Sequence, residues 1–178
     1  MRCRNTRRKL VAFMLAALGS VAAQPHSASD AYLTLVVQSS TLPAAAGVVH
    51  AQWDIALRDL DFVLALDDDG DGKIRWGELR RHQQAIADYA FQNVRFSANG
   101  EPCRIAPKRQ AVDYHADGAY VALFFDIVCS GVVERLSVDY GLFFAIDPSH
   151  RGIFVLHSGE KIATALLSPT NAKIDPAF

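Results

Sequence analysis

The chain has 178 residues, 51% of them hydrophobic, with a formal net charge of −1. This composition excludes a disordered chain and suffices for one domain with its own core. The charge is uneven, because residues 1–23 carry five basic residues and no acidic ones, leaving 13 Lys+Arg against 19 Asp+Glu and a net charge of −6 for the remainder. Nucleic acid and anionic membrane surfaces are therefore poor partners, since both need a basic patch.

The first element predicted is a secretory signal peptide over residues 1–23. A basic start (Arg2, Arg4, Arg7, Arg8, Lys9) leads into the apolar run Leu10 to Leu18, and Val21-Ala22-Ala23 offers a cleavage site before Gln24. The apolar run is too short to span a bilayer, which takes about 20 residues. A single extracytoplasmic domain is expected over 24–178, periplasmic or secreted, with no transmembrane segment in the mature chain.

Ala31 to Val37 alternates and reads as a strand, Thr41 to Gly47 as a small-residue loop, and Val48 to Ile55 as a second extended segment. Leu57, Leu60, Val63 and Leu64 then recur at helical spacing, as do Leu79, Ile86 and Tyr89-Ala90. From Val94 onward the period becomes two. Asn99-Gly100 and Asp117-Gly118 mark hairpin turns. Ala119 to Cys129, the run from Leu136 to Phe144, Gly152 to His157 and Lys161 to Leu167 read as strands, and residues 169–178 as a loose tail. The fold class expected is α+β: a mainly antiparallel, sandwich-like β body with a helix–loop–helix inserted at about 57–91.

Of three cysteines, Cys3 falls in the leader. Cys103 and Cys129 share the inward parity of their strands, and an even pair in an oxidising compartment predicts a disulfide.

Seven of the 19 acids lie between Asp59 and Glu78. Within that stretch Asp67 to Glu78 is twelve residues long, with Asp67, Asp69 and Asp71 at positions one, three and five. Gly72 stands at six, Ile74 at eight and Glu78 at twelve. This is the EF-hand calcium pattern. Ca²⁺ is a hard cation that takes six to eight oxygens. Alternate Asp residues of a tight turn supply three, the Lys73 carbonyl another, and Glu78 both carboxylate oxygens. Arg75, at position nine, is not a side-chain ligand, and water, or nothing, fills that position. No second loop has the spacing; Asp113 to Asp117 and Asp139 to Asp147 lack it. The six histidines (His26, His50, His82, His115, His150, His157) show no i, i+4 pairing. No nucleophile motif or phosphate loop is present, so no enzymatic activity is expected.

Trp53-Asp54-Ile55-Ala56-Leu57-Arg58-Asp59-Leu60-Asp61, followed by the acidic loop and Trp76-Gly77-Glu78-Leu79, resembles the extracytoplasmic N-terminal domain of HupE/UreJ-type membrane proteins. His150-Arg151-Gly152 and Leu167-Ser168-Pro169 are similar to later segments of that domain. The resemblance implies a bacterial periplasmic setting and a membrane-protein partner. In that family a membrane bundle linked to nickel or cobalt handling follows. No such run follows here, so a transport role is not carried over. The principal expectation is a calcium-binding structural or interaction module; the alternative is a nickel- or cobalt-handling accessory ectodomain, which three clustered histidines would favour.

Overall fold

The computed structural model describes residues 29–37 and 47–176. The predicted leader with its cleavage site, His26 and all but the end of the 41–47 loop lie outside the described residues.

Alternation builds the large sheet. β1 (Asp30–Val37) turns Ala31, Leu33 and Leu35 inward, and β2 (Val48–Ala56) turns Val49, Ala51, Trp53 and Ile55 the same way. β5 (Arg104–His115), β6 (Gly118–Val128), β8 (Arg151–Ser158) and β9 (Lys161–Leu167) complete the order β5-β6-β2-β1-β8-β9. The second sheet contains β3 (Val94–Ala98), β4 (Glu101–Pro102), β7 (Leu136–Tyr140) and β10 (Lys173–Ile174), in the order β10-β7-β3-β4. Between β2 and β3 come α1 (Leu57–Leu64) and α2 (Trp76–Gln92). One core joins these parts: the Trp53 ring lies 5.5 Å from that of Tyr140 on β7, and Phe125 on β6 lies 6.0 Å from Phe96 on β3.

The molecule is thus mostly β with two helices, as expected, but its large sheet is mixed. β1 pairs antiparallel with β2 and parallel with β8. Two further expectations are corrected. The run from Leu136 to Phe144 does not stay extended. β7 stops at Tyr140, the Gly141 N–H donates to the Asn93 carbonyl at 2.7 Å, and Phe143 takes φ 59°. That turn buries Leu142 and Phe143 together, which straight alternation could not do. The tail is not loose throughout, because Lys173–Ile174 pairs with Val138 and Asp139. Arg104–His115, which carried no strand prediction of its own, forms the long edge strand β5. It has a register shift between Pro107 and Arg109, where proline has no N–H to give the ladder.

Cys103 and Cys129 are bridged. Their sequence separation of 26 makes reduction cost at most about 3.5 kcal/mol by the chain-entropy argument. Unfolded, unreduced protein should take up no thiol reagent at either cysteine, and reduction should lower the denaturation midpoint. Free labelling at both would contradict the bridge.

A buried polar chain closes the core near the start of β8. The Ser29 hydroxyl donates to Asp59 Oδ2 at 2.8 Å and lies 2.7 Å from His150 Nδ1, while His150 Nε2 lies 2.9 Å from the Tyr140 hydroxyl. The serine hydrogen is committed to Asp59, so Nδ1–H donates to Ser29 and Nε2 accepts from Tyr140. His150 is fully buried, and burial lowers its pKa to about 4.

Candidate metal-binding loop

The acidic loop hangs between two helices anchored in the core. α1 buries Leu57 and Leu60 and ends at Ala65, whose left-handed backbone (φ 49°) lets its N–H reach the Asp61 carbonyl. Leu66, the next residue, is fully buried, and Ile74 packs against the core from the far side of the loop. The core thus supports the loop from both sides. α2 begins at Trp76 and buries Leu79, Ile86 and Ala90 on the 3.6-residue period. The Glu78 carboxylate accepts the Arg75 N–H at 2.7 Å, which satisfies one of the donors that a helix start leaves free.

Inside the loop, backbone N–H groups turn toward carboxylates. Asp67 accepts from Gly70 at 2.9 Å and Asp71 at 3.2 Å through Oδ1, and from Gly72 at 2.7 Å through Oδ2. The Gly72 bond, with those of Gly70 and Asp71, holds the Asp67 carboxyl below the usual carboxylate range. Gly72 reaches this position with φ +79°, which a side chain would strain. Asp69 accepts from the Asp71 N–H at 3.2 Å, and Asp71 from the Lys73 N–H at 3.0 Å.

Asp67, Asp69 and Asp71 each offer a carboxylate oxygen, all within 4.8 Å of one another. Carboxylates this close repel one another unless a positive charge lies nearby. The Arg75 guanidinium partly answers, contacting Asp69 Oδ2 at 3.3 Å and Asp71 Oδ2 more closely. Glu78 stands outside the group of three. It is buried, and its oxygens are taken by the N–H groups of Asp68, at 3.0 Å, and Arg75. Lys73 meets the group through its N–H on Asp71. Asp68 faces the other way, onto Arg81 at 2.6 Å and His82 at 2.8 Å of α2, and these bonds lower its pKa. The structure therefore gathers three of the five residues expected at the site, and holds Glu78 beside the loop as the link between its two ends.

The donor set suits a hard cation. Carboxylate oxygens converge from alternate positions, the turn is fixed by N–H bonds, and no thiol or imidazole enters. Sequence reading missed the interaction of Arg75 with two of the Asp residues, although its place four after Asp71 and six after Asp69 was visible. Among the described residues no three histidines come together as a metal-binding group. No described helix is long and apolar enough to cross a membrane. No family model matches the chain, and no curated protein matches it in sequence.

Proposed function

We propose that this protein is a non-enzymatic, calcium-binding module of the periplasm or the extracellular space, built as a sandwich-like β body that carries one EF-hand. The observation that carries this reading is the convergence of Asp67, Asp69 and Asp71 in a loop whose backbone N–H groups brace the first of them. The disulfide supports an oxidising compartment. The likeness of residues 53–61 and 76–79 to the HupE/UreJ ectodomain supports a membrane protein as partner.

Bound calcium would supply the charge that three converging carboxylates lack. Asp67, Asp69 and Asp71 would hold it with side-chain oxygens, Lys73 with its carbonyl and Glu78 with its carboxylate. Because Glu78 is the third residue of α2 and Asp67 follows α1 closely, their joint engagement ties the two helices. The ion would then act as a clasp that stabilises the segment between the sheets by mass action, about 1.4 kcal/mol when free calcium is tenfold above Kd.

Trp76, the tenth loop residue, is 54% exposed and suited to sensitise terbium bound in the loop. Terbium emission excited through Trp76 should appear on titration and be displaced by calcium, far less by magnesium. Glu78→Gln should weaken calcium binding at least tenfold. Asp68→Asn, whose carboxylate faces Arg81 and His82, should change it less than threefold. Equal, small losses in the two variants would defeat the EF-hand reading.

Arg75 gives a second prediction. Its guanidinium competes with any ion for Asp69 and Asp71, so Arg75→Ala should tighten calcium binding. An exposed ion pair is worth about 0.2–1 kcal/mol, so the gain should stay within about fivefold. Weaker binding in Arg75→Ala, measured by calorimetry, would show that the arginine organises the loop instead of competing within it.

A further inference from the structure

The outer face of the large sheet carries a second set of side chains able to ligate a metal, drawn from strands and not from the acidic loop. Asp54 lies on β2, and Asp113 and His115 lie on β5, with β6 between them. Period two places Asp113 and His115 on one face of β5. The register Asp54↔Ala122 and Asp113↔Tyr120 brings Asp54 to that same face across β6. One oxygen from each carboxylate and one imidazole nitrogen lie within 4.8 Å of one another.

Three features separate this set from ordinary surface acids. Asp54 is only 7% exposed, and its hydrogen-bond partners are Gln52 and His115, neither of which carries a fixed charge. Next, Asp54 Oδ2 and His115 Nε2 are 3.3 Å apart. A charge-assisted hydrogen bond closes to about 2.7–2.9 Å. Two donors each about 2.0–2.1 Å from a tetrahedral ion stand about 3.3–3.4 Å apart. Finally, the groups are held in place. The His115 ring stacks on Tyr32 at 4.6 Å and lies 4.2 Å from Tyr120, while Gln52 Nε2 occupies Asp54 Oδ1 at 2.8 Å and leaves Oδ2 toward the histidine. Outer-shell bonds of this kind orient metal ligands.

We propose that Asp54, Asp113 and His115 form a second cation site, selective for a divalent first-row ion of the zinc type. The imidazole and the small number of donors set it apart from a calcium cage, which takes six to eight oxygens. Asp113, on the exposed side, leaves the fourth position to water.

The test is equilibrium dialysis of the full chain against zinc, with calcium in excess, accompanied by the visible spectrum of Co²⁺ as a tetrahedral reporter. One zinc per chain is expected, with cobalt bands of tetrahedral intensity. His115→Phe keeps a ring between Tyr32 and Tyr120 but removes the nitrogen, and it should weaken zinc binding at least tenfold and abolish the cobalt bands. Asp113→Asn, at an exposed position, should also weaken zinc binding at least tenfold, and it decides the matter if His115→Phe does not fold. Glu78→Gln should leave zinc binding unchanged. No zinc on the wild-type chain, zinc retained in the folded His115→Phe or Asp113→Asn chains, or zinc lost in Glu78→Gln would each overturn the proposal.

Discussion

Trp53→Ala is expected to destabilise the protein by about 3–5 kcal/mol, the range for removing a large aromatic side chain from a packed core. Trp53 is fully buried at the middle of β2, and its ring meets Tyr140 of the other sheet at 5.5 Å. The cavity would open where the two sheets share their core, and neither backbone can collapse into it without breaking its own ladder. Trp53→Phe should cost less, since it keeps an aromatic body near Tyr140. Urea unfolding followed by circular dichroism measures both, and is preferable to fluorescence because Trp53 is one of only two tryptophans. A loss below about 1 kcal/mol for Trp53→Ala would show that the sheets do not depend on each other as the core implies.

Acidification from pH 7 to 4 should remove about 3 kcal/mol through His150 alone. Its folded pKa of about 4 lies below the ordinary histidine value of about 6.5. Between those values the unfolded chain binds more protons than the folded one, so this contribution is complete above about pH 6.5 and is lost as pH falls toward 4. The structural cause is burial, which disfavours the charged ring, while Asp59 acts in the opposite direction; Nε2 is moreover already an acceptor, so a second proton would meet the Tyr140 O–H. Asp54 and Asp30 act in the opposite sense, because burial raises their pKa and favours the folded state in acid. His150→Gln, which cannot titrate, separates these effects. Its stability curve should fall less steeply than wild type between pH 6.5 and 4, and parallel curves would refute the assignment.

Much of the fold was legible because alternation is a strong local signal. Leu33 and Leu35, Val121 to Ile127, and the turns at Asn99-Gly100 and Asp117-Gly118 fall where the periodicity put them. The same signal misled at Leu142 and Phe144, where the apolar period continues but the chain turns to bury neighbours together. β5 escaped notice because an edge strand exposes much of its length and this one contains Pro107. The parallel partnership of β1 with β8 depends on residues more than a hundred positions apart, and no local pattern records it. For the acidic loop, spacing placed Asp67, Asp69 and Asp71 together, because twelve contiguous residues carry their own geometry. The pairing of Arg75 with two of them depended on side-chain direction. Asp113 and His115 had a visible i, i+2 spacing, but Asp54 comes from a distant strand, and only strand register brings it alongside.

The position of β1 sets an order of events during synthesis. Its eight residues are bonded on one side to β2, which follows closely, and on the other to Arg151–Ser158. A chain delivered amino end first can make the β1–β2 hairpin early. It then waits for about a hundred further residues while the second edge of β1 shows unpaired N–H and C=O groups. An open edge of that kind recruits strands from other molecules, and contacts so distant in sequence are slow to form. The interval before β8 arrives is therefore the stage at which the nascent chain is most exposed to aggregation, and the stage at which a holding chaperone would have most to protect.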